Sequence, residues 1–475
     1  MFRDDIRKEV HDCLREHDLR PVANKLTPEV FLEAAQRAQL RIGACPLNLV
    51  NLVWLAIAAA WRKTESFVTI LTVTLKLLQD QEHFASSQFG KDLRRTRGQV
   101  KRRAKGPGAR SRSKHDPRGQ DPAQVSEEAF VKARQHMPLQ FWVALILILG
   151  ERFEAEHGAC SRYRSFRLLA IDGTCLTLPE AKGLRRFYGA ASNGTGKHAP
   201  QARMVMLQSP LTRLPIAYEL QPFNVGEVTM ARRLVAQLRG DDLVLLDSGY
   251  CSYGLLCDIQ RRGAFFCIRV QRTLNLRTRK LLHGRRDRRV CWQPKDSRGR
   301  WRREGLPPAL ELRVIEYRVP GYRTIKLLSN VLSPNRLSYA DFTRLTTTPG
   351  VGERLLPGLY HQRWQIETSF DEMKNQHGME GGLRSKTPAG IAYEVAGHVV
   401  LYLLVRWLIV EAAVRHELDP LRISFQNALR ELQGMWSTLV TSSPRWVARV
   451  LLPRLLERIA SHVVPFRPGR SYPRK

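Results

Sequence analysis

Two short apolar runs do most to constrain how this chain folds. Arg167-Leu168-Leu169-Ala170-Ile171-Asp172-Gly173-Thr174 is apolar until it meets an aspartate and then a glycine. Asp242-Leu243-Val244-Leu245-Leu246-Asp247-Ser248-Gly249-Tyr250 repeats the device, with glycine two residues after the aspartate. A run of this length bounded by turn residues predicts a buried strand that delivers a carboxylate at its carboxyl end. Either Asp-Gly alone is an ordinary turn signal. Two in one sheet is a narrower arrangement. Residues 198–207 and 214–220 add two strands about a turn at Ser209-Pro210, which predicts a three-stranded meander with the first run. Helices are expected at 227–238 and 252–262, and a further strand at 264–270.

A third carboxylate comes from Tyr360-His361-Gln362-Arg363-Trp364-Gln365-Ile366-Glu367, running on to Lys374, with the pattern Y-x2-R-x3-E-x6-K. Ile366, Phe370 and Met373 are spaced by four and three, so the segment reads as a helix. At about 100° per residue, Arg363, Glu367 and Lys374 fall within roughly 60° of Tyr360. Such a face shows an aromatic hydroxyl, a carboxylate and two cations, which suits metal beside phosphate. Three convergent carboxylates make a site for hard divalent cations. Two such ions can bridge a phosphodiester. Asp371 lies one turn beyond Glu367 on nearly the same face, so spacing leaves both open as third ligand.

Charge names the partner. Against 44 Asp+Glu stand 77 Lys+Arg, a formal net charge of +33. The first candidate is a polyanion, nucleic acid above all. An anionic membrane is second, weakened because 142–149 is far short of the ~20 residues a spanning helix needs and 398–410 is broken by Arg406. No signal peptide opens the sequence and none of the eight cysteines forms a C-x2-C pair, so reduced thiols in a cytoplasmic protein are expected. Residues 1–90 read as a small helical domain, with a helix starting at Pro28 behind Thr27 as N-cap and apolar runs at 48–61 and 67–78. It suits DNA-end binding or dimer packing. Residues 91–123 form a basic linker, Arg102 and Arg103 among its cations, that suits phosphate contact. Helix returns over 124–160. Residues 271–345 form a β-rich insertion in which 310–317 alternates as a strand and 324–331 is expected to pair with it. Trp292 and Trp301 in that insertion are candidates to stack on an unpaired base. Helices at about 391–414, 421–432 and 446–459 make a C-terminal region (391–465), and 466–475 is a basic tail.

Asp172-Gly173-Thr174, Asp247 with Gly249-Tyr250, and Tyr360, Arg363, Glu367 and Lys374 together resemble the DDE transposases of bacterial insertion sequences, in particular the IS-four group with its Y-R-E-K signature. The likeness covers about 160–410 and continues through Gly382-Leu383-Arg384-Ser385-Lys386-Thr387-Pro388. It implies an α/β fold: a ribonuclease-H-like core (161–390) with a mixed five-stranded sheet, a β-rich insertion, and N- and C-terminal helical regions. It implies that Asp172, Asp247 and Glu367 bind two Mg²⁺, with Mn²⁺ able to substitute. It also implies that Tyr360, Arg363, Lys374, Arg384 and Lys386 contact DNA. The motif match selects Glu367 over Asp371. The implied activity is cleavage at transposon ends and strand transfer into target DNA, by a homo-oligomer, a dimer on paired ends, in the bacterial cytoplasm. A nuclease or resolvase that cuts without joining and a non-catalytic DNA-binding remnant are the rival readings.

Overall fold

The computed structural model describes residues 25–40, 47, 49–61, 126–191, 198–270, 274, 276–295, 299–318, 324–346, 355–441 and 446–465. The expected apolar run at 67–78, the basic linker with Arg102 and Arg103, and the tail lie outside them. Two compact units emerge. One comprises residues 1–149, 382–405 and 426–459; the other comprises 150–381, 406–425 and 460–475.

The second unit is built on one ten-stranded sheet. Its strands are β1 (Arg162–Tyr163), β2 (Phe166–Thr177), β3 (Gln201–Gln208), β4 (Pro215–Pro222), β5 (Asp242–Leu246), β6 (Phe265–Arg269), β7 (Leu276–His283), β8 (Asp287–Trp292), β9 (Leu310–Tyr317) and β10 (Ile325–Ser329). The order is β4-β3-β2-β5-β6-β10-β9-β8-β7, with the short β1 paired to β2. The meander β2-β3-β4 and the pairing of β9 with β10 are as expected. Among the described strands the ladders β2–β5 and β5–β6 are parallel and the others antiparallel. The β-rich insertion continues the same sheet. β10 pairs antiparallel with β6, and Asn330 closes the seam by accepting from Phe266 N (2.8 Å) and donating to Ala264 O (3.0 Å).

One buried ion pair sets the register that matters. Arg167 and Asp242 are partners at the start of the parallel β2–β5 ladder. Arg167 Nε and Nη2 donate to Asp242 Oδ1 and Oδ2 at 2.6 and 2.9 Å, with both side chains buried. From that fixed point the ladder runs to Ile171 opposite Leu246 and stops. The next residues are Asp172 and Asp247. Because side chains alternate across a strand, a slip of one residue would turn every group to the other face.

In the first unit the helices Leu49–Trp61 and Pro388–Arg415 approach closely. A Cβ on Gly397 would come within 2.7 Å of Ala56 O, so only glycine fits there. Tyr393 Oη donates to Leu52 O, and Arg134 reaches Glu394 at 3.3 Å. The lead-in is broken into Glu127–Gln135 and Leu139–His157, because Pro138 has no N–H to continue a helix. Thr27 is the N-cap of Pro28–Arg37 as expected, but its side chain makes no capping bond.

Three expectations need correcting. Asp172 does not end its strand, since β2 continues to Thr177; it is the parallel partner β5 that stops beside it. The Tyr360–Lys374 segment is not one regular helix. It begins as 3₁₀ (Leu359–Trp364), becomes α (Gln365–Asp371) and widens to a π turn (Glu372–Gln376), so a single 100° step does not place its side chains. Pro388–Arg415 is long and apolar enough to cross a membrane by length and composition, where the sequence reading sees a broken run. Its most apolar window is 94% buried inside the protein, and Arg406 within it is ion-paired to Glu372.

Candidate active site

Adjacent strands lie about 4.8 Å apart, so the end of the β2–β5 ladder brings Asp172 and Asp247 side by side. Glu367 reaches them through an arginine. Arg363 Nη1 donates to Asp172 Oδ2 at 2.8 Å, and its Nη2 donates to Glu367 Oε1 at 3.0 Å. The guanidinium is 3% exposed, Asp172 18% and Glu367 46%, so the array is buried at its base and open at Glu367. Gly173 N also donates to Asp172 Oδ1 at 2.9 Å. Burial nevertheless dominates: it pushes the Asp172 carboxyl up to about 6, against the pull of Arg363 and Gly173, with Glu367 and Asp247 adding to the rise.

The other residues of the signature surround this array. Tyr360 is buried, and burial raises its phenol well above the usual range while Arg363 opposes the shift and Asp247 adds to it. Lys374 lies along β2, with Nζ 3.0 Å from Cys175 O, 3.5 Å from Thr174 Oγ1 and 2.8 Å from Glu380 Oε2. In this state Arg363 and Lys374 are both engaged by protein atoms. Asp371 is turned away: it is exposed, and its oxygens accept from Asn375 Nδ2 (2.7 Å) and Gln376 Nε2 (3.1 Å) of the π turn.

Several sequence candidates lie elsewhere. Arg384 and Lys386 are in the first unit; there Arg384 N donates to Glu394 Oε2 at 2.7 Å and Lys386 is exposed. Trp292 and Trp301 are corrected as stacking platforms. Trp292 is buried and meets Tyr253 edge-on at 5.1 Å, and the half-buried Trp301 packs on the same ring at 5.9 Å. Both rings fill the seat of the insertion, the ordinary fate of a large apolar side chain.

Sequence reasoning missed two neighbours. Glu227, the first residue of the helix Glu227–Leu234, lies against Gly173; a Cβ there would be 2.8 Å from the Glu227 carboxyl carbon. Tyr250 is buried, and burial together with Glu227, Asp172 and Asp247 drives its phenol far above the usual range. The Asp-x-Gly-Tyr segment carried the signal for Tyr250. Nothing local marked Glu227.

Among the described residues no three Asp, Glu, His or Cys side chains close on one point. Arg363 accounts for this, because it already bonds two of the three carboxylates. The oxygen-only donor set still fits a hard divalent cation, provided Arg363 gives up its carboxylates.

Comparison with known proteins gives the family of the chain. Residues 164–404 match the transposase DDE domain family. The transposase InsG for insertion sequence element IS4 of Escherichia coli (strain K12) is 26% identical over 362 residues, covering 74% of this chain and 76% of that protein. Among solved structures, the piggyBac transposase synaptic complex with hairpin DNA spans 74% of this chain and 66% of its own at 15% identity and a TM-score of 0.34, a likeness too slight to carry fold or function across. The match over 164–404 takes in both aspartate strands, the insertion and the Y-R-E-K segment, so the chain belongs to the DDE transposases, enzymes that cut and rejoin DNA phosphodiesters and as a family use divalent metal ions.

Proposed function

We propose that Asp172, Asp247 and Glu367 are the catalytic carboxylates of this transposase. They would stand on a ribonuclease-H-like core formed by β4-β3-β2-β5-β6. The observation that supports this most is the meeting of Asp172 and Asp247 at the end of the parallel ladder, with Glu367 joined to Asp172 through one guanidinium. The ions proposed are two Mg²⁺, with Mn²⁺ as substitute. When bound, they supply charge that stabilises the attacking and leaving oxygens.

The chain's own groups do the rest. Arg363 would exchange its carboxylates for a DNA phosphate, with Tyr360 and Lys374 holding neighbouring phosphates beside it; charge-assisted contacts inside a desolvated site are the strong ones. At the transposon end a water oxygen bonds to phosphorus as the bond to the 3′ oxygen breaks, leaving a 3′-hydroxyl. The oxygen of that hydroxyl then bonds to a target phosphorus as the target strand's own bond from phosphorus to its 3′ oxygen breaks, releasing a 3′-hydroxyl on the target. Arg384 and Lys386, the N-terminal helices and the basic linker would add DNA contacts. A dimer on paired ends in the bacterial cytoplasm completes the reading.

The test is nicking and strand transfer on a duplex carrying the terminal sequence that flanks the gene, beside a gel shift. Asp172→Asn, Asp247→Asn and Glu367→Gln keep size and remove the anion. Each is expected to lose at least a hundredfold in cleavage, about 3 kcal/mol or more in barrier, while still binding DNA. Asp371→Asn is the control and stays active. An inactive Asp371→Asn beside an active Glu367→Gln would replace the third carboxylate. A parent protein that binds but never cuts would leave the DNA-binding remnant, and one that cuts but never joins would leave the nuclease.

A further inference from the structure

The helix carrying Glu367 is held from behind by a group with no part in the site above. Arg213 sits in the turn between β3 and β4, closed by Ser209 N donating to Leu214 O at 3.0 Å. Its φ is 57°, in the left-handed region that a non-glycine residue occupies at a cost. A residue kept in such a conformation is held there by its surroundings, and such strain collects where position matters. The turn faces the Glu367 helix. Arg213 Nε and Nη2 donate to Gln365 Oε1 at 2.9 and 2.6 Å, and Nη1 donates to Glu372 Oε1 at 2.6 Å. Gln365 precedes Glu367 by two residues and Glu372 follows it by five.

Around that arginine the grip is continuous. Glu372 opens the π turn and is buried, and Arg406 donates to it through Nε (3.0 Å, to Oε2) and Nη2. Gln208 Nε2 donates to Ser369 Oγ at 2.9 Å, and that hydroxyl donates to Gln365 O at 2.9 Å. Within the α stretch Gln365–Asp371, Gln365 and Ser369 stand one turn apart on one face, and Glu367 lies about 200° from Gln365 around the axis. The anchored face is thus the one turned from the carboxylates. β3, which leads into the turn, pairs with β2 and sets Met206 opposite Asp172.

We propose that Arg213 is a positioning residue for the reaction: from a strained turn it grips the helix on both sides of Glu367 and so holds that carboxylate to Asp172 and Asp247. The proposal rests on the catalytic reading of Glu367. Packing alone would not require one guanidinium to serve acceptors on either side of the same side chain, nor a left-handed backbone to aim it. A displacement of about 1 Å at a reacting group costs on the order of a hundredfold in rate, so a loosened anchor is felt in the chemistry before it is felt in DNA affinity.

The discriminating variant is Arg213→Gly in the full-length protein. Glycine takes φ 57° without strain, and Glu372 keeps Arg406, so neither the turn nor a buried carboxylate is abandoned. The measurements are thermal unfolding, gel-shift affinity in chelator, single-turnover nicking across a Mn²⁺ titration, and Mn²⁺ binding to the protein–DNA complex by electron paramagnetic resonance. Unfolding and DNA affinity are expected to match the parent within a few degrees and twofold. Nicking is expected to fall at least tenfold, and the Mn²⁺ concentration for half-maximal rate and for half-maximal binding to rise severalfold. Arg213→Lys, which cannot span both acceptors, falls between. Unchanged nicking and Mn²⁺ response in Arg213→Gly overturns the proposal, as does a loss of activity that merely follows a loss of folded protein. Glu367→Gln is run alongside. If it nicks like the parent, the catalytic reading falls and the proposal with it. An inactive Glu367→Gln beside an unimpaired Arg213→Gly overturns the proposal alone.

Discussion

Asp172 sits where burial disfavours the charged carboxylate even beside the Arg363 guanidinium. Its folded-state pKa of about 6 lies above the ordinary 3.8, with burial the leading cause. An acid whose pKa is raised on folding binds more protons folded than unfolded between those values, so its contribution to stability falls as pH rises from about 4 through 6. At about 1.4 kcal/mol per unit, the penalty at pH 7 is at most about 3 kcal/mol. Asp172→Asn, never charged, escapes it but gives up the ion pair with Arg363. The expected result in chelator is a variant more stable than the parent at pH 7 by about 1–3 kcal/mol, with the gap closing as pH falls to 4. Denaturant unfolding at several pH values measures it. Parallel pH profiles for parent and variant would show that Asp172 carries no such burden. A divalent ion binding only the folded state would remove the parent's deficit by mass action, which is why chelator is part of the design.

At the scale of elements, β2 and β5 show what the sequence carried and what it did not. Both runs were legible as buried strands, because an apolar stretch closed by Asp and Gly has few other structures open to it. The alignment of the two aspartates was not legible, since it depends on a long-range pair, Arg167 with Asp242, that local periodicity does not encode. The same limit applies to Glu227, brought to Gly173 only by the folding of its helix onto the sheet. The Y-R-E-K segment was legible as helical and as the mark of the family. Its change of pitch was not: Glu372, which opens the π turn, is paired with Arg213 and Arg406, both distant in sequence, and local periodicity encodes neither contact. Trp292 and Trp301 misled for the opposite reason: an aromatic in a basic stretch looks exposed until Tyr253 is found beneath it. The register pair gives a prediction of its own. Asp242→Ala leaves the Arg167 guanidinium buried without its carboxylate, which costs about 3–5 kcal/mol. Chemical unfolding is expected to show that loss, and nicking by the remaining folded protein is expected to fall as the two aspartates lose alignment. A variant as stable as the parent would show that the ladder is registered by packing alone.

For the whole molecule the governing quantity is the net charge of +33. Arg363 is already paired with Asp172 and Glu367, so the bulk of the cations that draw DNA to the protein must lie elsewhere. The densest run of them is at 91–118, where Arg94, Arg95, Arg97, Lys101, Arg102 and Arg103 stand among glycine, proline and serine with almost nothing apolar between. A stretch so composed has little to bury, and its cations are suited to phosphates whatever the sequence of the DNA. Each phosphate it neutralises releases condensed counterion and steepens the fall of log affinity with log salt by about 0.9 on duplex DNA. Replacing these six residues with serine is therefore expected to weaken binding to all duplexes alike and to flatten that slope by up to about 5. Nicking of DNA already bound at low salt should be untouched, because Asp172, Asp247 and Glu367 are not altered. Gel shifts across a salt series on end-sequence and unrelated duplexes make the measurement. An unchanged slope would show that the stretch only tethers what lies on either side of it. A slope that flattens on the end sequence alone would show that these cations read the transposon end and not the polyanion.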